Sequence, residues 1–310
     1  MYANSIKLIS LLGRTLTFKL RKKNTMAFSD LQMKVTSDFA LQALHARLAS
    51  IQDFAHNFRE LEDRKGASIV IPSFNLSAAA DFDAASNNYF SGVNEIDAAT
   101  VNLDKHMVKS LMITDRDIAE TEVQFNRDGG IAIGDTLGRA LYKYVVDMIN
   151  EVNVTKSADV TLTTKKAFAD LFGTVYDNEL DINQTVLMLT PDNFATLLGT
   201  LDSNVYGSRD AITGGRIPGL YGFAAVVCAP NMQSGLKGAL VDKNSIGIAA
   251  RYLEPMAGAY VSAWKASDPV SGMPIGFREA CDLASGQRYL AGEFLVGAKI
   301  IRKDGIVLLK

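Results

Sequence analysis

Residues 130–152, GIAIGDTLGRALYKYVVDMINEV, constrain this chain more than any other stretch. Leu137, Leu141, Val145, Met148 and Val152 recur at steps of three and four, so on a helix they form one apolar stripe. Asp135, Arg139, Lys143, Asp147 and Glu151 recur at steps of four and fall on another face. Asp135 with Arg139, and Lys143 with Asp147, are opposite charges one turn apart, each pair worth roughly 0.3 kcal/mol. Asp128 and the two glycines after it supply the helix entry. Asn153, Val154 and Thr155 end it with β-branched and polar residues. At about 1.5 Å per residue the helix is roughly 35 Å long, the width of a small domain. Burying its stripe contributes on the order of 10 kcal/mol before entropy is counted. Strand-like segments lie on both sides in the sequence, so the helix reads as a spine against which they pack.

A length of 310 residues accommodates one large domain or two ordinary ones. With 48% hydrophobic and 21% charged residues the composition is that of a folded globular protein. The net charge of -2 gives no support to a general nucleic-acid-binding role. The two cysteines, Cys228 and Cys281, sit in apolar or small-residue settings. With no secretory signal they read as buried thiols of a reducing compartment. No run of 18 or more apolar residues is present, so no segment reads as a membrane span.

The first 25 residues carry Lys7, Arg14, Lys19, Arg21, Lys22 and Lys23 and no acid. Such a segment reads as a targeting peptide, as a mobile arm, or as the product of an upstream in-frame start with Met26 the true one. An arm that touches nucleic acid is a further reading, because local positive charge binds phosphate whatever the sequence. Residues 36–64 read as a second helix. Ser37 or Asp38 caps it, and Leu41, Leu44, Leu48, Ile51, Phe54, Phe58 and Leu61 line one side. His45 and His56 lie on this stretch, too far apart to share a metal by one-turn spacing, and read as surface side chains. Residues 60–65 close it as a solvated charge run.

Residues 66–74, GASIVIPSF, read as a strand closed by Pro72. The stretch 76–94 is small, polar and turn-rich, and residues 99–113 return as extended structure. Two strands joined by about 20 residues make a long arm rather than a hairpin. Asp81 and Asp83 form a carboxylate pair without a neighbouring base, nucleophile or ligand, so they do not read as catalytic. Asp115 and Asp117 lack the glycine and terminal glutamate of a calcium loop. Thr114 or Asp115 capping a short helix is the better reading.

Residues 163–176 read as a helix, 185–189 as an apolar strand, and Pro191 as the first position of another helix. Residues 165–228 thus alternate helix and strand, as in an α/β lobe. Within them 202–222 is a loop whose five glycines and one proline exclude a core strand. It lacks the Lys-Ser or Lys-Thr of a phosphate-binding loop. Residues 221–229 follow as an apolar strand. Residues 242–252 fit a helix, or a strand after a turn, equally. Residues 258–264, 275–280 and 294–301 look extended, and Lys303-Asp-Gly reads as a tight hairpin turn into 306–309. There is no internal repeat. With histidine only at His45, His56 and His106, neither a Ser-His-Asp nor a Cys-His arrangement emerges.

The order is basic arm, helix, long two-stranded arm, spine helix, α/β lobe with a glycine loop, and return strands. That order resembles the major capsid proteins of tailed bacteriophages, the Hong Kong 97 type. So do the phrases GLYGF at 219–223, GALVDKNSIGIA at 238–249, DPVSGMPIGFR at 268–278 and GEFLVGAKIIRKDGIVLL at 292–309. The likeness runs from about residue 66 to 310. It implies an α+β fold with an N-terminal arm and helix in 1–65 and an extended arm, the E-loop, in 66–112. A peripheral domain with the spine helix takes 113–160 and 252–310, and an axial domain takes 161–251, its loop 202–222 facing the capsomer centre. It implies a coat protein and not an enzyme, self-assembling through pentamers and hexamers into an icosahedral shell around double-stranded DNA. Its place would be the virion, built in the bacterial cytoplasm. Partners would be its own copies, scaffolding, portal and decoration proteins and the packaged DNA, with no membrane, cofactor, metal or catalytic residue. An encapsulin-like compartment is the alternative. One departure stands out: 73–104 contain no lysine, the first being Lys105, so the founding member's lysine cross-link on this arm is not matched.

Overall fold

A computed structural model describes residues 28–57, 68–74, 96–120, 124–201, 215–256, 261–269, 271–282 and 284–310. In chain order the elements are α1 (Phe28–Gln52), β1 (His56–Asn57), β2 (Ser68–Phe74), β3 (Ile96–Asn102), β4 (Lys105–Thr114), α2 (Asp115–Glu120), α3 (Phe125–Asp147), β5 (Ser157–Ala158) and α4 (Lys165–Asp177). There follow β6 (Thr185–Leu189), α5 (Pro191–Thr200), β7 (Arg216–Pro218), β8 (Ala225–Cys228), β9 (Gly238–Asp242), β10 (Ile246–Arg251), β11 (Ser262–Ser267), β12 (Pro274–Asp282), β13 (Gln287–Ile300) and β14 (Ile306–Leu309).

The spine is α3. It begins one turn before the expected position, so Asp128 lies in the first turn rather than ahead of it. Leu137, Leu141 and Val145 are buried as the stripe requires, and Asp135 and Arg139 pair at 2.7 Å. Val152 was expected on the same stripe but is 89% exposed. The cause is Asn150, whose Oδ1 accepts the amides of Val152 and Asn153 and turns the chain off the helix axis. The glycines of α3 have a use that the stripe did not reveal. A Cβ on Gly130 would lie 2.6 Å from the Thr36 carbonyl oxygen, and one on Gly134 2.1 Å from that of Ala40. Gly138 meets Arg47 in the same way at 2.8 Å. Contacts that advance together along both helices mean that α1 and α3 run parallel, backbone against backbone.

The second helix also differs from expectation. It starts at Phe28 and stops at Gln52, not Arg64. The amides of Phe54 and Ala55 turn back onto the Ile51 carbonyl, and His56–Asn57 then joins β10 as a short parallel strand. His56 is therefore on a strand, not a helix. Leu44, Leu48, Ile51 and Phe54 are buried as the pattern implied. Phe58, Leu61 and the charge run 60–65 lie outside the described residues.

Two sheets flank this helix pair. The first has the order β1-β10-β13-β12-β11, with β4 on the other edge of β13. Its inner face meets α3 closely enough that a Cβ on Gly292 would touch Ile133 at 2.3 Å. The second has the order β5-β14-β9-β6-β8-β7. Alternation along β6 sends Val186 and Met188 into the core shared with α3, and Leu187 and Leu189 into a second core under α4 and α5. The Tyr142 hydroxyl of α3 donates to the Cys228 carbonyl at 3.2 Å. One helix thus backs both sheets.

Several strand expectations need correction. The stretch 99–113 is not one strand: it breaks at Leu103 and Asp104 into β3 and β4, which serve different sheets. Of the two readings of 242–252, the strand after a turn holds: residues 243–245 turn after β9, and 246–251 form β10 of the first sheet. The strand expected at 221–229 is confined to β8, and Arg216–Pro218 within the glycine loop pairs with it as a short edge. Residues 303–305 make no hairpin. The amides of Ile301 and Arg302 both bond to the Ser245 carbonyl, and the chain crosses to the second sheet. There β14 pairs with β9 and β5. Its four residues are all buried, which the interior of a sheet covered on both faces provides and a hairpin edge does not. Thus β10, from within 161–251, lies in the first sheet, and β14, from within 252–310, lies in the second.

Candidate assembly surface

The arm is rooted by β2 and β3, antiparallel from Ser68 opposite Asn102 to Phe74 opposite Ile96. Ile69, Ile71 and Val101 turn inward onto Leu103, Ala249 and Leu295, while Val70 faces out and is 56% exposed. Gly297 receives the arm: a Cβ there would stand 2.0 Å from the Asn102 carbonyl oxygen. At the break before β4, the Tyr144 hydroxyl of the spine donates to Asp104 Oδ1 at 3.3 Å. Burial first, and then the Asp104 charge, push the Tyr144 phenol above its ordinary value. Residues 75–95, with Asp81 and Asp83, lie outside the described residues.

Beyond the root, β4 forms an edge of the first sheet. Met107, Leu111 and Ile113 turn toward the helices, and Val108 and Met112 face out, each about half exposed. Beneath this outer face Glu293 is buried at the centre of β13. The Arg278 guanidinium contacts its Oε1, and His106 Nε2 is 3.0 Å from its Oε2. A buried carboxylate held by Arg278 and His106 ties β12, β13 and β4 together, and removing one partner is costly. Thr114 caps α2 as the sequence implied. Its hydroxyl donates to Asp117 Oδ2 at 2.6 Å and accepts the Asp117 amide at 3.1 Å.

The glycine loop is described only from residue 215. Gly219, Tyr221 and Gly222 take left-handed φ values of 66°, 53° and 84°. Arg216 closes the loop with a two-pronged contact to Asp53, its second prong 2.8 Å long, tying the second sheet to the end of α1. Above its own ordinary value, the Arg216 guanidinium is held by the Asp53 carboxylate. On the outside of α4, Phe172 and Tyr176 are exposed with ring centroids 4.9 Å apart.

Among the described residues no arrangement for chemistry converges. His45 Nδ1 lies 3.4 Å from the buried carboxylate of Asp268, but the Ser271 hydroxyl donates to that carboxylate and not to the histidine. The serine is thus a turn-former, not an activated nucleophile. Burial pushes the Asp268 pKa up, but the Ser271 hydroxyl and amide and His45 outweigh it, and the carboxyl sits below its usual range. Cys228 is half-buried, its thiol pushed up by burial, whereas Cys281, expected to be buried, is exposed at the end of β12. Among the described residues no three His, Cys, Asp or Glu side chains gather as metal ligands. No helix among them is long and apolar enough to cross a membrane. Sequence reasoning had no grip on Glu293 or on the His45–Asp268 pair, because their partners are 187 and 223 residues away.

No family model matches the sequence, and no curated protein does. Solved structures do match the fold. A structure from Mycobacterium phage Che8 superposes with a TM-score of 0.55 at 14% identity, over 81% of this chain and 88% of that one. The capsid of an empty GTA particle gives 0.54 at 15%, over 84% and 89%. A virus-like particle from Pyrococcus furiosus gives 0.54 at 10%, over 89% and 98%. The chain therefore has the α+β capsid fold of the Hong Kong 97 type, as the element order implied.

Proposed function

We propose that this protein is the coat subunit of a tailed-phage type of virion. Many copies assemble through rings of five and six into an icosahedral shell enclosing double-stranded DNA. The observation that supports this best is the extent of the likeness, which spans 81–89% of the chain and 88–98% of the shell-forming structures named above. The arm adds a physical reason. Its root is clamped to the first sheet, while the rest is small and polar, with nothing to bury unless a neighbouring copy covers it. A protein-filled compartment is not favoured beside the phage and GTA likenesses.

In this reading α1, α3 and the first sheet make the peripheral part of the subunit, and the second sheet with α4 and α5 makes the axial part, its glycine loop toward the ring centre. The division follows the sheets, so β10 belongs with the peripheral part and β14 with the axial part. The role is structural, without catalysis, metal or cofactor. Scaffolding, portal and decoration proteins and the packaged DNA are its partners, and assembly takes place in the host cytoplasm. Electron microscopy of the purified protein, with scaffold supplied if needed, is expected to show closed shells. Light scattering that finds only a compact monomer under every assembly condition overturns the proposal.

A further inference from the structure

The two sheets guard their edges differently. The second ends in β5 and β7, which are two and three residues long, and Pro218 lies in β7. Short strands and proline keep a sheet edge from pairing with another chain. In the first sheet the edge strand β1 has two residues and β11 has six, but β4 runs for ten without a proline or glycine. Among the described residues β4 pairs only with β13, so alternate residues along it turn their amide and carbonyl away from the sheet. Val108 and Met112 stand half exposed on its outer face, with Ser110 exposed between them. We propose that β4 is a docking edge for the β4 strand of a second copy, antiparallel about a two-fold axis at Ser110.

The register follows from which residues are free. In an antiparallel ladder, opposed residues turn their backbone groups either both toward or both away from one another. On a strand already paired along one side, the free residues alternate, so a two-fold axis between two copies of β4 must pass at a residue, not between two. An axis at Lys109 sets two lysines directly opposite, which like charge disfavours. An axis at Leu111 sets Val108 opposite the partner's Thr114 and Met112 opposite the partner's Ser110. Only the axis at Ser110 sets each half-exposed Val108 opposite the partner's Met112. It also moves Lys109 opposite the partner's Leu111. Charge agrees at the ends of the ladder: Lys105 lies opposite the start of the partner's α2, whose first turn carries the exposed Asp117. The side chains match as well, because opposed residues of such a pair share a face. An edge contact of this kind is small and weak between two free subunits, and repetition over many copies multiplies it. The inference rests on the coat reading only for its place in a shell, where a self-complementary contact lies on a two-fold axis and joins one ring to the next.

Cysteine cross-linking of the full-length chain reads both the contact and its register. Cys281→Ser removes the exposed native thiol. In that background Ser110→Cys places two thiols across the axis with Cα atoms about 5 Å apart, within the span of a disulfide. Mild oxidation of the concentrated free chain, or of its shells, is expected to give covalent dimers. Val108→Cys and Met112→Cys, each about 14 Å from its own copy, are expected to give none. Sedimentation supplies a second measurement at exposed positions. Val108→Lys with Met112→Lys sets like charges opposite at two places and should weaken dimerisation of the free chain about tenfold. Val108→Glu with Met112→Lys sets opposite charges there and should restore it. No cross-link at Ser110→Cys in either state overturns the proposal, as does cross-linking of equal yield at Val108→Cys or Met112→Cys. A Val108→Glu, Met112→Lys chain that dimerises no better than the double-lysine chain overturns it too. Shells that form without the cross-link leave the coat reading standing while this contact fails, and cross-linked dimers that never build shells do the reverse.

Discussion

Asp268 shows how a single side chain can hold two distant segments. Its carboxylate ends a turn through Ser271 and reaches His45 on α1, and it is almost wholly buried. Because the folded pKa lies below the unfolded value near 3.9, the charged form contributes stability that is full above about pH 4. That contribution is lost as the pH falls through the folded value. Asp268→Asn is expected to cost about 2 kcal/mol at neutral pH, and the gap to the unaltered protein should close in acid. Denaturant titrations at several pH values check this, and a gap that widens in acid contradicts it. Glycines give a second residue-scale test, in which one substitution has opposite signs. Gly173 in α4 has nothing within 4 Å of an added Cβ, so Gly173→Ala should gain up to about 1 kcal/mol of helix propensity. Gly134→Ala gains the same propensity, but its Cβ falls 2.1 Å from the backbone oxygen of Ala40. Separating the two helices should cost about 3 kcal/mol, so the net effect is destabilising. Paired thermal melts compare the two.

At the scale of elements, the spine carries the most. Leu141 is fully buried between the helix pair and the shared core. Leu141→Asp would bury an unpaired carboxylate, at a cost of several kcal/mol set against a total stability of about 5–15 kcal/mol. The variant is expected to be insoluble, and a soluble Leu141→Asp protein that still assembles would remove the spine from its central place. Elements with strong local signals were legible before any coordinates. The step of three and four in α3 as far as Val145, the Thr190-Pro191 start of α5 and the apolar strand β6 appear where their patterns put them. What stayed hidden depends on partners remote in sequence. The stripe of α3 did not reveal that Gly130, Gly134 and Gly138 form a second stripe facing α1. Nor did Lys303-Asp-Gly, which has the chemistry of a hairpin turn, reveal that the Ser245 carbonyl diverts the chain into another sheet. Of the candidate surface, the root strand β2 was legible as the Ile- and Val-rich run around Pro72. The anchor points at Gly297, Tyr144 and Glu293 were not, since each is defined by what packs on it.

For the whole molecule, the proposed assembly into a shell turns on the arm. Its root loses little by being covered, because Ile69, Ile71 and Val101 are already buried on the subunit's own sheet. The part between the two strands differs. Residues 77–92 are small and polar, and Asp81, Asp83, Glu95 and Asp97 make the segment acidic. Ordering about 15 such residues costs on the order of 15 kcal/mol of backbone entropy, which a patch of a neighbouring subunit, basic by complementarity, can offset. Removing residues 78–91 and closing the gap with a short turn should therefore separate folding from assembly. The shortened chain keeps β2 paired with β3 and both cores intact, so its denaturation midpoint as a free subunit should match that of the full chain. Its shells should be absent or fall apart on dilution. Hydrogen exchange on the full-length chain gives the complementary reading: the arm's amides should exchange freely in dissociated subunits and slowly in shells. Equal protection in the two states would mean that the arm packs on its own subunit, and the dependence of the shell on arm exchange between neighbours would be lost.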